Sequence, residues 1–178
     1  MRIYLVRHGI AVDRSDPKCP ADAHRPLTDR GAKRTRQMAK GLAVLGVKPE
    51  AVMSSPYLRA AQTAEIVCRE IGFPAKKLLV TKSLMPLSRP ATLVAEMAAT
   101  KARSLMCFGH GPQLDILLAA LLGCPGPITE LKKAGAACLE METLAPSPKG
   151  RVAWVFTPRA LRLLGKQADR VVSKRKAG

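Results

Sequence analysis

Short apolar segments alternate with amphipathic helical ones along the chain, and this alternation constrains the fold more than any other feature. It predicts four strands, Arg2–Val6, Ala51–Ser54, Leu78–Thr81 and Ser104–Phe108. Strands separated by helices are typical of a parallel sheet. Two later apolar segments, Ala136–Glu142 and Arg151–Phe156, flank a proline- and glycine-containing turn and predict a hairpin. We therefore expect an α/β fold.

The predicted helices are marked by the residues that begin or end them. Thr28 is the expected cap of the first helix, Pro56 stands in the first turn of the second, and Gly72 ends it. Three later helices are predicted after Pro90, over Gln113–Leu122 and from about Pro158.

We expect a single domain over residues 1–165, followed by a basic C-terminal tail over 166–178. A chain of 178 residues is within the usual size of one domain. No internal repeat or second-domain boundary is visible. The longest irregular stretch before the tail is the loop Gly9–Pro26, and long loops in compact domains are often functional.

The chain is strongly basic, with 30 lysines and arginines against 13 acidic residues and a formal charge of +17. Such a charge favours anionic partners, among them phosphorylated proteins, nucleic acid, polyphosphate and acidic membranes, and it equally suits a solvated basic face. Nucleic acid is not expected, because no recognition motif accompanies the tail and aromatic residues make up only 3% of the chain.

The sequence indicates a cytoplasmic protein. It shows no leader peptide and no apolar run long enough to cross a bilayer, so no membrane partner is expected. The five cysteines are scattered and form no C-x-x-C pair. Neither a disulfide framework nor a metal site is expected from them.

Three polar segments follow predicted strands. Arg7-His8-Gly9 follows the first strand, Ser54–Thr63 the second, and Gly109–Pro112 the fourth. Open α/β sheets bind ligands at the carboxyl ends of their strands. The three segments therefore predict one shared site.

The residue types at this site suit phosphoryl transfer, which needs an in-line nucleophile and fixed positive charge around the phosphate. Arg7 and Arg59 offer bidentate donors for phosphate oxygens. Two neighbouring arginines would lower the pKa of His8 and keep it neutral and nucleophilic. His110 would bind the phosphate or move a proton. Each residue alone is more often structural; the set at strand ends is what favours a site.

Four segments together resemble the histidine phosphatase superfamily. They are Arg7-His8-Gly9, Ser55–Thr63, Gly109-His110 and Arg25–Gly31. The last of these, R-P-L-T-x-x-G in pattern, is similar to the short SixA-type phosphohistidine phosphatase branch. The resemblance is clear over about residues 1–125.

The resemblance implies a three-layer α/β/α sandwich with a mostly parallel central sheet, of the phosphoglycerate mutase-like type. It implies that His8 is the nucleophile that becomes phosphorylated and that His110 is a second catalytic residue. It places phosphate binding at Arg7, Gly9, Arg25 and Arg59. It implies a phosphatase that uses neither cofactor nor metal.

One departure from the superfamily bears on the substrate. Mutases and broad phosphatases of the superfamily carry an acidic proton donor after the third strand, but no Asp or Glu occurs between Glu70 and Glu96. An alkoxide leaving group needs a donor, whereas the labile P–N bond of phosphohistidine needs less help. The expected substrate is therefore phosphohistidine on a protein, reached through a shallow, open pocket.

Two alternatives stay open at the level of sequence. An aspartate of the long loop, Asp13, Asp16 or Asp22, would serve as donor in a phosphomonoesterase acting on small phosphorylated metabolites. A degenerate member would bind phosphate without turnover. The oligomeric state and the role of the tail are not determined by the sequence.

Overall fold

The computed structural model describes the backbone of residues 1–176 and the side chains of residues 1–167. Six strands form one sheet in the order β3-β2-β4-β1-β5-β6. The strands are β1 (Arg2–Arg7), β2 (Ala51–Ser54), β3 (Leu78–Val80), β4 (Ser104–Gly109), β5 (Ala136–Thr143) and β6 (Lys149–Phe156). The first four run parallel to one another, and β5 pairs antiparallel with both β1 and β6.

Within residues 1–176, five α-helices accompany this sheet: α1 (Asp29–Val44), α2 (Leu58–Ile71), α3 (Pro90–Ala99), α4 (Gln113–Leu121) and α5 (Pro158–Lys176). A short 3-10 turn, Asp22–His24, interrupts the long loop between β1 and α1. Within the described part of the chain, no helix combines the length and the apolar character needed to span a bilayer.

The central strands β1, β2 and β4 are buried on both faces, which explains why they are almost continuously apolar. Along β1, Ile3 and Leu5 point to one core, whereas Tyr4 and Val6 point to the other. The first core is completed by α3 and α4, and the second by α1, α2 and α5. The expected three-layer sandwich with a mostly parallel sheet is confirmed.

Most of the predicted helix ends are confirmed by backbone geometry. The Thr28 hydroxyl accepts a hydrogen bond of 2.9 Å from the Gly31 amide, as a helix cap does. Gly72 ends α2 in the left-handed conformation, with φ of 74°. The prediction for Pro56 is wrong, because α2 begins at Leu58. Strand hydrogen bonding continues through the Ser55 amide, which donates to the Phe108 carbonyl, so Pro56 serves the turn that follows.

Helix α5 lies against α1 at a close crossing of two glycines. A Cβ atom at Gly41 would overlap the Leu161 carbonyl, and one at Gly165 would lie 3.0 Å from the Gly41 amide nitrogen. The expected division at residues 165 and 166 falls within α5 and stays a prediction. Most of the tail predicted over 166–178 has side chains outside the described residues.

We predict that Gly41→Ala lowers the free energy of unfolding by about 1–2 kcal/mol, because overpacking at the helix crossing exceeds the gain of about 1 kcal/mol in helix propensity. Urea denaturation measures the loss. The matched control is Gly126→Ala, since a Cβ atom there meets nothing within 4 Å. A Gly41→Ala protein as stable as the control would contradict the close crossing.

Candidate active site

The three predicted segments meet at the carboxyl edge of the sheet. Strands β1 and β4 are neighbours in parallel register, so that Arg7 lies beside Gly109. The His8 amide donates to the Gly109 carbonyl over 3.0 Å, which extends the pairing by one residue. Strand β2 lies on the other side of β4 and delivers the Ser54–Thr63 segment to the same edge. The topology thus brings His8, Arg59 and His110 together.

The His8 ring is held in one tautomer. Its Nδ1 atom lies 2.7 Å from the Gly9 carbonyl oxygen. Because a carbonyl oxygen only accepts, Nδ1 carries the proton and Nε2 holds a lone pair. The Arg59 Nε group donates to that Nε2 atom over 3.2 Å. The imidazole is therefore oriented with its nucleophilic nitrogen at a guanidinium group.

Gly9 connects the loop that carries His8 to α2. Its amide donates to the Thr63 hydroxyl over 3.0 Å, and that hydroxyl donates to the Arg59 carbonyl over 2.6 Å. A Cβ atom at Gly9 would overlap the Thr35 hydroxyl. Only glycine allows the loop to approach α1 and α2 this closely. The position that the sequence assigned to phosphate binding thus has a clear steric role.

His110 lies next to His8, with 5.1 Å between the ring centroids. Its Nε2 atom is 2.9 Å from the Ser55 hydroxyl oxygen. The edge of the Tyr57 ring packs against it at 5.2 Å between centroids. The Nδ1 atom is buried and has no partner among the described residues. His110 is therefore fixed on one side and retains one unused polar atom.

A carboxylate occupies the positively charged part of the site. Arg59 donates to the Asp22 backbone carbonyl over 2.6 Å and to the Asp22 carboxylate over 3.3 Å. Arg25 and Arg14 donate to the other oxygen of that carboxylate over 2.8 Å and 3.0 Å. Arg25 thus joins the cluster through Asp22, and three guanidinium groups converge on one anion.

Arg7 makes its contacts on the opposite side of the site. Its Nη1 group donates to the Leu131 carbonyl over 2.6 Å, and Glu130 is 3.9 Å away. The guanidinium lies so close to Gly111 that a Cβ atom there would be 2.9 Å from Cζ. The Nε group is buried and lacks a partner within the described chain. Arg7 therefore keeps one donor for a further acceptor.

The expectation of a shallow, open pocket is wrong for this structure. The exposed fractions are 6% for His8 and 2% for both Arg59 and His110. The cause is the turn Asp22–His24, whose first residue is hydrogen-bonded to Arg59. Both Nη groups of Arg59 donate to Asp22, so a ligand that binds them competes with Asp22.

Burial and neighbouring charges shift the pKa values of the site. Burial lowers the pKa of His8 to about 3, opposed by the hydrogen bond to Gly9 and reinforced by the charges of Arg59 and Arg7. Burial likewise lowers the pKa of His110 to about 3, with the neighbouring His8 and Arg59 adding to it. Both imidazoles are therefore neutral near pH 7.

The Asp22 carboxyl behaves differently. Burial alone would raise its pKa, but hydrogen bonds from Arg25 and Arg14 and the charge of Arg59 lower it to about 2. Asp22 is thus ionised near pH 7 and holds no proton to donate.

The arrangement suits a bound tetrahedral anion facing a neutral imidazole nucleophile. Its anion-binding groups are guanidinium donors, which match phosphate oxygens in geometry and charge. Across the residues that the structure describes, no group of three or more His, Cys, Asp or Glu side chains is placed to hold a metal ion.

Sequence reasoning assigned no definite role to three residues of this site. Ser55 and Thr63 belong to the recognised second segment, but their hydrogen bonds to His110 and Gly9 depend on how two strand ends meet. Asp22 was one of three candidate acids in the loop. Its position three residues before Arg25 was the available signal, since both contact each other across the 3-10 turn.

Comparisons with known proteins show the family of this chain. Residues 3–84 match the family model of the histidine phosphatase superfamily, branch 1. The phosphohistidine phosphatase SixA of Escherichia coli is 30% identical over 92% of this chain and 98% of its own length. An uncharacterised protein of Picosynechococcus is 39% identical over 76% of this chain and 82% of its own length. A solved structure of the protein histidine phosphatase SixA with tungstate superposes with a TM-score of 0.79 and 29% identity, covering 90% of this chain and 99% of that one.

We predict that the two buried histidines make the protein less stable as the pH falls. An unfolded histidine takes up a proton near its ordinary pKa of about 6.5, whereas the native pKa values are about 3. Between these values the unfolded state binds more protons, so the free energy of unfolding decreases as the pH drops from 7 towards 4, by up to about 1.4 kcal/mol per pH unit for each histidine.

Urea denaturation at pH 7.5 and 4.5 tests this dependence. His8→Gln should lose less stability between the two pH values than the native protein does. The matched control His24→Gln, at an exposed histidine, should behave like the native protein. An unchanged pH dependence in His8→Gln would contradict a neutral, buried His8.

Proposed function

This chain belongs to the histidine phosphatase superfamily and is a phosphatase, and from that premise we propose that it hydrolyses phosphohistidine on proteins through a covalent phosphate on His8. The proposal is carried by one observation, the orientation of the His8 Nε2 lone pair at the Arg59 guanidinium. In-line phosphoryl transfer requires a nucleophile that lies next to a positively charged side chain able to bind the phosphate oxygens.

The first chemical step transfers the phosphoryl group to the protein. The Nε2 atom of His8 forms a bond to phosphorus while the P–N bond to the substrate imidazole breaks. Arg59 and Arg7 bind the equatorial oxygens, whose negative charge they balance. The released imidazole keeps the electron pair of the broken bond and gains a proton. The carbonyl of Gly9 stabilises the Nδ1 proton of His8 as the ring becomes positively charged.

The second step restores the protein. A water molecule attacks the phosphorus of phosphorylated His8, the bond to Nε2 breaks, and inorganic phosphate leaves. The water proton passes to a base within reach, for which His110 is suited because its buried Nδ1 atom has no other partner in the described chain. His110 is neutral near pH 7, and the negative charge of a phosphate bound beside it would raise its pKa and favour uptake of that proton.

The states of two candidate acids, Asp22 and Glu96, support phosphohistidine as the substrate. Asp22 is ionised by its arginines. Glu96, the first acid after β3, accepts hydrogen bonds of 2.7 Å and 2.6 Å from Thr81 and Ser83. General-acid catalysis is worth roughly 10²–10⁴-fold in rate. Without it, an alkoxide leaving group is strongly disfavoured, while the phosphohistidine imidazole can take its proton from solvent.

The contacts of the Asp22 carboxylate also support the proposal, because this carboxylate binds the arginines that would bind the substrate phosphate. Its carboxylate accepts from Arg59, Arg25 and Arg14, which are donors suited to a phosphate dianion. We infer that the substrate phosphoryl group replaces this carboxylate and that the Asp22–His24 turn moves aside. The pocket then opens only when a stronger anion is present.

The named relatives support the same substrate class. Escherichia coli SixA carries the name phosphohistidine phosphatase, and the superposed SixA structure holds tungstate, a tetrahedral oxyanion like phosphate. This similarity extends over nearly the full length of both chains.

We predict that incubation with a phosphohistidine peptide places phosphate on His8. Alkaline quenching followed by mass spectrometry of the digested protein identifies the modified residue. His8→Ala should lower kcat/KM by at least about 10³-fold, as expected for loss of a nucleophile. The native protein should prefer phosphohistidine over phosphoserine peptides by about 10²-fold or more, which is the rate that a missing general acid costs.

His24→Ala provides the control, because it removes an exposed histidine from the same turn that carries Asp22. It should retain the activity of the native protein. Phosphate release by His8→Ala at the native rate would exclude His8 as the nucleophile. Equal hydrolysis of phosphoserine and phosphohistidine would favour the phosphomonoesterase alternative.

We predict that Asp22→Asn tightens competitive inhibition by inorganic phosphate about 3–10-fold. An amide competes less well than a carboxylate for three guanidinium groups, so the phosphate displaces it at a lower free-energy cost. The inhibition constant is measured with an aryl phosphate substrate. Weaker inhibition together with a lower kcat would show instead that Asp22 positions Arg59 or acts as the proton donor.

A further inference from the structure

A basic groove opens next to the proposed active site. It has a volume of about 480 Å³ and lies between the beginning of α1, the loop 130–134 and the beginning of α5. Its charged lining comprises Arg7, Arg34, Lys132, Lys133, Arg162 and the single acid Glu130. We refer to this set as the basic groove. It is larger than a single phosphate needs, and it does not include His8.

The positive charges of the basic groove are largely uncompensated. Glu130 forms ion pairs with Lys132 at 2.6 Å and with Arg7 at 3.9 Å. Arg34, Lys133 and Arg162 have no ion pair with any acid whose side chain is described. Burial and the neighbouring charges of Arg34 and Arg159 lower the pKa of Arg162. Like charges are thus held close together, which favours an anionic ligand.

The loop that carries the lysines is held in place by hydrogen bonds. The Leu131 amide donates to the buried Asp115 carboxylate over 2.7 Å, and the Leu131 carbonyl accepts from Arg7. The Ala134 amide lies 3.0 Å and 3.1 Å from the carbonyl oxygens of His8 and Arg7. Lys132 and Lys133 therefore stand at fixed positions relative to the nucleophile.

The fold places this groove at the same edge of the sheet as His8. The loop before β5 and the turn after β6 lie at the carboxyl edge of β1, because Ala136 pairs with both Val6 and Phe156. Arg7 lines the basic groove and directly precedes His8. The charge of Lys133 is close enough to influence the pKa of His8. A molecule in the groove is thus next to a phosphoryl group at His8.

We propose that the basic groove binds acidic residues that flank the phosphohistidine of a protein substrate. This inference rests on the proposed function and names the substrate class more narrowly. An extended chain suits the groove, since its charges continue away from the phosphate site from Arg7 to Arg34 and Arg162. Nucleic acid is disfavoured, because the lining contains no aromatic side chain on which a base can stack.

The test uses two peptides with a central phosphohistidine, one flanked by Asp and Glu and the other by Asn and Gln at the same positions. Fluorescence anisotropy of the labelled, unphosphorylated acidic peptide measures binding without any turnover. Phosphate release from both phosphorylated peptides gives kcat and KM. At low ionic strength the native protein should show a KM about 10-fold lower for the acidic peptide.

Arg34→Gln/Arg162→Gln should raise the KM for the acidic peptide about 5-fold and leave that for the neutral peptide unchanged, as expected for the loss of two partly exposed charge contacts. Lys132→Gln/Lys133→Gln is a second variant at a different element and should act in the same direction. The matched control is Lys76→Gln/Lys77→Gln, which removes two exposed charges from the turn before β3, at the opposite edge of the sheet.

The outcomes separate this inference from the proposed function. If the groove variants and the control variant raised the KM for the acidic peptide equally, the proposal that the basic groove binds acidic residues would be overturned. The net charge of the protein would then explain the preference for the acidic peptide. Displacement of the acidic peptide by single-stranded DNA, lost in the groove variants, would overturn it in favour of nucleic acid. Groove-dependent binding without phosphate release would uphold the groove and refute the proposed function. Phosphate release without preference for acidic flanks would uphold the proposed function and refute the role of the basic groove.

Discussion

The contact between Arg59 and His8 is the interaction on which the rest of the site depends. A buried guanidinium is costly unless its charge and its donors are satisfied. In this protein one donor goes to the imidazole and the others go to the carboxylate and carbonyl of Asp22. The requirement to compensate Arg59 therefore explains why a surface loop folds back over His8. It also explains why His8 and His110 are buried.

The sheet makes this arrangement possible because both of its faces are covered. Packing of helices on each side fixes the strand ends relative to one another, and the site lies where β1 and β4 end together. Hydrogen bonds then extend the order from the strands into the loops. The two histidines are held relative to the strand ends by hydrogen bonds that involve Gly9, Thr63 and Ser55. The geometry of the candidate site is thus set by the register of the strands.

The positive charges favour anions at two places, next to His8 and farther along the same edge of the sheet. Next to His8, guanidinium groups hold a carboxylate that a phosphate would replace, and burial keeps the two imidazoles neutral at the same time. Farther along the same edge, the uncompensated charges of the basic groove extend the positive field beyond the space a phosphate fills. The large net positive charge of the chain is therefore concentrated, in part, where it is useful to the proposed reaction.

The sequence by itself determined the elements and the chemical groups. Apolar runs are buried on both faces, so Ala51–Ser54 was predicted to its last residue, and local rules gave the Thr28 cap. Tertiary structure decided what depends on contacts between distant segments. Asp22 reaches Arg59 only because the loop after β1 meets α2, and the groove needs α1, α5 and the loop 130–134 together. The spacing of apolar residues along the sequence indicates which face of a helix or strand is buried. A closed pocket arises from hydrogen bonds between distant segments, and these leave no local pattern in the sequence.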